Sequence, residues 1–222
     1  MCGRFTLASP AEVVAEVFGL DGTPELAPRY NISPGQEVAA VRVGEGARRE
    51  LAMLRWGLIP SWAKDPTIGN RMINARAETA AEKPAFRAAL WVRRCLVPAD
   101  GFYEWAPAGP RKQPYLIAYA DGRPFGIAGL WETWRPPGGA VVESCTLLTT
   151  APNEVVAPLH DRMPVIVPAS EYGRWLDPGE HRPEAVAALL RPAPSAGMAA
   201  RAVGLRVNNP ANEGPGCVEP AG

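Results

Sequence analysis

The chain has 222 residues, 47% of them hydrophobic, with 23 basic side chains balanced by 23 acidic ones. That length buries a full core without metals or disulfides, and that apolar content excludes a disordered chain. The neutral balance excludes a global attraction for nucleic acid, so a phosphate-binding surface has to come from local clustering of the mostly arginine basic residues.

The four cysteines, at 2, 95, 145 and 217, form no CxxC pair, and with two histidines a zinc site is not expected. Cys95 and Cys145 stand in apolar, strand-like runs and read as inert core thiols. No apolar run approaches the roughly 18 residues of a membrane span, and Arg4 with no following apolar stretch argues against a signal peptide. A cytoplasmic protein with reduced thiols is expected.

In chain order, Ser9-Pro10-Ala11-Glu12 has the form of a capping box opening a helix to about Phe18, which Gly19 stops. Residues 24–34 read as a loop. Glu37–Val43 and Glu50–Pro60 read as strands, followed by a polar, irregular stretch over 64–79 and a helix over Pro84–Trp91. Strands follow at Arg94–Pro98, Phe102–Ala106, Tyr115–Tyr119, Phe125–Trp134 and Val141–Thr149, with Asp121-Gly122 as a hairpin turn. A short helix at Pro152–Ala157 precedes a strand over Met163–Pro168. Helices near Ser170–Leu176 and Pro183–Leu190 lead to a last strand at Ala202–Asn208. Strands dominate and no βαβ rhythm appears, so the fold class is α+β: one domain over 1–222 with a strand-rich, barrel-like core and short flanking helices.

Four places carry chemistry that asks for a reason. Cys2 directly follows Met1, and removal of Met1 would put an α-amine and a thiol on one residue, with ordinary pKa values of about 8 and 8.5. An aldehyde meeting that pair can form a Schiff base and then a thiazolidine; taken alone, the hexamer also reads as a frayed terminus. Asn74 and Arg76 stand two apart, so in an extended segment both face one way, toward a ligand or toward solvent. Glu104, flanked by aromatics in Gly101-Phe102-Tyr103-Glu104-Trp105, is either a buried acid with a raised pKa or an edge-strand carboxylate in water. His160, in Leu159-His160-Asp161-Arg162-Met163-Pro164, is a proton carrier or a structural imidazole, with Arg162 beside it able to hold a phosphate.

Together these stretches, with Trp56-Gly57-Leu58-Ile59-Pro60-Ser61-Trp62 and Asn74-Ala75-Arg76-Ala77-Glu78-Thr79, resemble in order and spacing the SRAP-domain family, the SOS-response-associated peptidase-like proteins. The likeness runs the length of the chain and is loosest over 126–132 and 149–153. It implies a sensor and shield for abasic sites in single-stranded DNA, acting as an N-terminal-nucleophile enzyme. Cys2 would trap the ring-opened aldehyde as a thiazolidine crosslink. Glu104 would transfer protons, His160 would assist on the sugar hydroxyl and in reversal, and Asn74 would orient the nucleophile or the sugar. Arg4, Arg76 and Arg162 would grip phosphates, and Trp56, Trp62 and Trp105 would stack on bases. No cofactor and no metal are implied. The expected partner is single-stranded DNA containing abasic sites, bound by a monomer that is nucleoid-associated when on DNA. Two alternatives stay open: a thiol autopeptidase or peptidase using Cys2, and a non-covalent single-stranded DNA-binding module.

Overall fold

The computed structural model describes residues 2–108, 111–136 and 138–222. The strands in chain order are β1 (Phe5–Leu7), β2 (Arg29–Ile32), β3 (Glu37–Val43), β4 (Arg49–Trp56), β5 (Asn74–Arg76), β6 (Arg94–Ala99), β7 (Gly101–Ala108), β8 (Arg111–Tyr119), β9 (Phe125–Trp134), β10 (Val142–Thr150), β11 (Met163–Pro164), β12 (Ile166–Val167) and β13 (Met198–Ala202). The helices are short: α1 (Ala11–Phe18), α2 (Arg87–Val92), α3 (Tyr172–Leu176) and α4 (Pro183–Ala187).

Five strands close on themselves. β3 pairs with β4 and β6, β6 with β9, β9 with β10, and β10 with β4, the last in parallel. This is the barrel the strand-rich pattern implies, and closure removes the unpaired edges of an open sheet. The strands inside it read as near-continuous apolar runs because their side chains meet core on both faces; β6 is buried at every position. Leu54, Trp56, Leu96, Leu130 and Leu147 are among its fully buried side chains. Against the barrel lies a second, antiparallel sheet in the order β13-β8-β7-β1-β2. Its inner face adds Phe5, Phe102 and Ile117 to the same core. Its outer face carries Tyr103, Leu116 and Val203, which the carboxy-terminal segment covers with Val207 and Cys217.

β10 is the strand that builds the site. One edge pairs with β4 at Ser144 and Cys145, then with β5 at Leu147 to Thr149. The other edge pairs with β9 up to Leu147, then with β11 at Thr149 and Thr150. Its last residues therefore project past the barrel wall and hold β5 on one side and the chain leaving His160 on the other. Where β4 gives way to β5, Gly57 has φ +133, and a Cβ there would stand 2.7 Å from the Gly69 carbonyl oxygen; only glycine fits that turn.

Several expectations are corrected. Ser9 does not cap α1: its Oγ and N–H both bond Asp100, because that carboxylate offers a stronger partner than the helix end. Residues 29–32 form a strand, ordered by pairing with β1. The stretch over 64–79 contains β5, which its own composition does not encode and β10 supplies. The Asp121-Gly122 turn forms, with Gly122 at φ +73, but it passes the chain from one sheet to the other and makes no hairpin. Residues 154–159 are turns held by Asn153 Oδ1, which accepts from the Val155 and Val156 N–H groups. The last strand is β13, and Leu205–Asn208 is a 3-10 turn. Gly19, at φ +65, ends α1 as expected.

Among the described residues no helix is long and apolar enough to cross a membrane. Cys95 and Cys145 are fully buried in the barrel, and burial pushes the Cys95 thiol up to about 12.

Candidate functional site

Cys2 is fully buried, drawn under the barrel rim by the pairing of β1 with β2 and β7. Its carbonyl accepts a hydrogen bond from Asn74 Nδ2 at 2.8 Å. Asn74 is presented by β5, held at Leu147 of β10. The other amide atom, Asn74 Oδ1, is buried with no hydrogen-bond partner among the described residues. A buried acceptor left in that state costs about 1–3 kcal/mol, so it is a place where a ligand or the terminal amine would be welcome.

Glu104 arrives from β7, which is an interior strand between β1 and β8. Strand alternation turns Phe102 and Glu104 toward the barrel and Tyr103 and Trp105 away from it. The buried-acid reading of Glu104 therefore holds over the edge-strand one, since the residue is only 3% exposed. Burial raises its pKa above the usual carboxylate range, while the nearby amino terminus and His160 pull the other way. The Cys2 thiol is pushed up as well, first by burial and then by the nearby Glu104 charge. In the resting state the thiol is protonated, and a proton sits more readily on Glu104 than on an exposed glutamate.

His160 follows the turn over 154–159 and lies within electrostatic reach of Glu104. Its Nδ1 accepts from the Arg162 N–H at 2.9 Å, and Asp161 Oδ1 lies at the same distance from that nitrogen. One ring nitrogen cannot accept from one and donate to the other. The main-chain donor decides, because the Asp161 carboxylate is 86% exposed and screened by water.

The six DNA-contact candidates separate by burial. Trp56 is fully buried, its Nε1 bonded to Ile73 O at 2.8 Å and its ring 5.2 Å from that of Phe5. It is a core residue and leaves the stacking set, because its side chain points into the barrel. Arg4 is buried on the outer face of the second sheet, donating to Asn31 Oδ1 at 2.6 Å and Val207 O at 2.8 Å. Its bonded nitrogen serves the fold. Trp105 is half-buried, its Nε1 tied to Asn208 Oδ1 at 2.7 Å, with Arg4 5.7 Å from the ring centre. Arg162 spends its fork on Glu78 and Thr149. Arg76 is exposed, and Trp62 is 59% exposed; these two remain open to a ligand.

The site thus brings together Cys2, Asn74, Glu104 and His160, from four separate stretches. Sequence reasoning passed over Glu78 and Asn31. Glu78 stands in the quoted 74–79 motif, which was the available signal. Asn31 had none, although it bonds Arg4, Asn209 O and Asn212 O and so joins β2 to both ends of the chain.

The likeness to the SRAP proteins found in the motifs extends over nearly the whole of this barrel and sheet. The chain belongs to that family: the sequence profile described as SOS response associated peptidase (SRAP) matches residues 1–210. The Abasic site processing protein YoqW of Bacillus subtilis (strain 168) is 44% identical over 223 residues, spanning 99% of both chains. The Abasic site processing protein HMCES of Xenopus tropicalis is 34% identical over 86% of this chain and 65% of its own. A crystal structure of a Bacteroides thetaiotaomicron protein superposes with a TM-score of 0.88 at 28% identity, covering 99% of this chain and all of the other.

Proposed function

We propose that the protein processes abasic sites in single-stranded DNA by capturing the ring-opened aldehyde covalently on Cys2, once Met1 has been removed. The observation that carries this reading is the holding of Cys2 by Asn74, whose own Oδ1 is buried without a partner among the described residues, together with the Glu104 carboxyl of raised pKa close enough to act on the Cys2 thiol. The abasic site processing names of the relatives support the substrate class.

The burial pattern orders the steps. Because the thiol is held protonated, the α-amine attacks the aldehyde carbon first and gives a carbinolamine. The carbinolamine hydroxyl leaves as water when a proton is delivered to it, and the protonated form of Glu104 is the donor at hand. The thiol then adds to the imine carbon, its proton ends on the nitrogen, and the thiazolidine ring closes. One water is released overall. His160 moves the proton on the sugar hydroxyl, and Asn74 aligns the terminal residue. Trp62 stacks on a neighbouring base and Arg76 holds a flanking phosphate. A thiol peptidase would need a thiolate at Cys2, and burial works against one.

Denaturing electrophoresis with single-stranded DNA carrying one abasic site tests the reading. The expected band survives denaturant and has the mass of protein lacking Met1 plus DNA minus one water. Protein shown to lack Met1 that yields no such band sinks the proposal.

Glu104→Gln is expected to slow adduct formation by about 10²-fold, within the range for a positioned acid or base, and to remove the fall in rate that wild type shows as pH rises through the Glu104 pKa. The same substitution is expected to stabilise the fold at neutral pH. The folded state binds the Glu104 proton more tightly than the unfolded one, so wild type loses stability as pH rises from the unfolded carboxylate pKa of about 4.3 through the raised folded value. Urea unfolding of both proteins across that window checks the sign.

Arg76→Ala is expected to weaken binding to undamaged single strands and to flatten the slope of log K against log salt by about 0.7, the value for one phosphate on a single strand. A salt titration with an unchanged slope removes Arg76 from the phosphate site.

A further inference from the structure

Arg162 is more committed than an arginine waiting for a phosphate. Nη1 and Nη2 donate to the two oxygens of Glu78, each at 2.8 Å, and Nη2 also reaches Thr149 O at 2.5 Å. Its Nε is buried and has no partner among the described residues, and the side chain is only 14% exposed. Arg162 in turn holds the Glu78 carboxyl below the usual carboxylate range, chiefly by hydrogen bonding, so the pair is closed at neutral pH. Bidentate pairs of this kind fix orientation as well as charge. They also lock the main chain that carries the arginine, and that main chain supplies the N–H that His160 Nδ1 accepts.

We infer that Glu78 is a positioning residue: by clamping Arg162 against Thr149 it fixes the Arg162 N–H on His160 Nδ1, and so places the imidazole proton on Nε2 at the site. The clamp spans three pieces of the site. Glu78 lies two residues beyond β5, which presents Asn74; Thr149 belongs to β10; Arg162 immediately precedes β11. The ion pair therefore sets where His160 stands relative to Asn74 as well as which nitrogen carries its proton. The charged groups around the ring are Asp161, Arg162 and Glu104, and Asp161 Oδ1 stands at 2.9 Å from Nδ1 as the competing partner. With the Arg162 main chain released, Asp161 is left as the partner of Nδ1, and the proton moves to Nδ1.

The inference rests on the proposed function for its catalytic consequence, and its structural half has an independent readout. The proteins are wild type, Glu78→Gln and Arg162→Lys, each checked for an unchanged far-ultraviolet spectrum and melting profile. Nitrogen-15 shifts of the two imidazoles report the tautomer, with exposed His181 as the internal reference. Wild type is expected to show the Nε2–H form at His160. Glu78→Gln is expected to lose it, leaving His181 unmoved. At saturating abasic single-stranded DNA, Glu78→Gln is expected to form adduct about ten- to a hundredfold more slowly, the scale of a small misplacement of a reacting group, with a displaced pH profile. Its affinity for undamaged single strands is not expected to fall, since Arg162 is released and a negative charge is lost. Arg162→Lys keeps the charge, cannot fill both contacts, and is expected to fall between the two.

A wild-type His160 with the proton on Nδ1 overturns the inference. A Glu78→Gln protein with the wild-type tautomer, saturating rate and pH profile also overturns it, whatever happens to its affinity; a gain in affinity alone would make Glu78 a competitor for phosphate. A wild type that forms no adduct defeats the proposed function instead, and the imidazole signature still decides the role of Glu78.

Discussion

Cys2→Ala protein, with Met1 removed, is expected to give no denaturant-stable adduct with abasic single-stranded DNA while binding the intact strand as wild type does. The α-amine survives the substitution, so a Schiff base can still form, but it hydrolyses reversibly. Only the thiol converts it to a ring, and the loss of trapped product should exceed 10³-fold, the scale on which removing a covalent nucleophile acts. Adding borohydride separates the two steps. Reductive trapping of the alanine variant reveals the imine, and failure to trap would mean that the amine never attacks. The fold should tolerate the change, because Asn74 holds Cys2 through the main-chain carbonyl and not through sulfur. Gel analysis with intact mass on each band is the measurement.

Arg94→Ala is expected to destabilise the protein by about 3–5 kcal/mol, the range for breaking a buried charged network. Arg94 is 4% exposed, and its partners among the described residues are main-chain oxygens. Its guanidinium donates to Trp175 O at 2.6 Å, to Leu90 O and Trp91 O at 2.7 Å each, to Glu180 O at 3.1 Å and to Asp177 O. Those oxygens lie in or just beyond the last turns of α2 and α3, where carbonyls run out of intrahelical donors and carry partial negative charge. One cation thus finishes two helices and pins both to β6. Truncation strands several buried acceptors at once. Arg94→Lys keeps the charge but not the five-donor fork, and should recover only part of the loss. For a chain of this size the alanine change lowers the melting temperature by about 6–20 °C, which calorimetry reads directly.

What the sequence makes legible divides from what it does not along a physical line. Alternation along Phe102-Tyr103-Glu104-Trp105 puts successive side chains on opposite faces, a rule that needs only the local pleat. Gly19 as a helix stop is equally local. The strand-rich core was legible from short apolar runs and evenly spread turns. Which face meets the barrel was not, so Trp56, an apolar residue at a strand end, was placed among the stacking candidates although it is core. Arg4 read as a phosphate ligand because its partners, Asn31 and Val207, lie 27 and 203 residues away. β2 and β5 exist through pairing that their own residues do not encode. The Glu78–Arg162 clamp joins positions 84 apart, and nothing in either segment names the other. Of the candidate site, Cys2, Asn74, Glu104 and His160 stood in the ordered motifs, and so did Glu78 and Arg162, but no motif pairs those two with each other.

The bond from Arg4 to Val207 also places the site in time. Synthesis runs from the amino terminus, and contacts between distant residues form late because loop closure precedes their reward. Two residues from Cys2, the chain is anchored to a carbonyl that is made only after more than nine-tenths of the protein. The bond to Val207 therefore closes after β2, β5 and β7, which hold the same end through strand pairing, Asn31 and Asn74, have already been made. Glu104, whose charge acts on the Cys2 thiol, is itself made only when nearly half of the 222 residues have been joined. On the proposed function, the order of biosynthesis lets processing of the amino terminus precede assembly of the place where it would work.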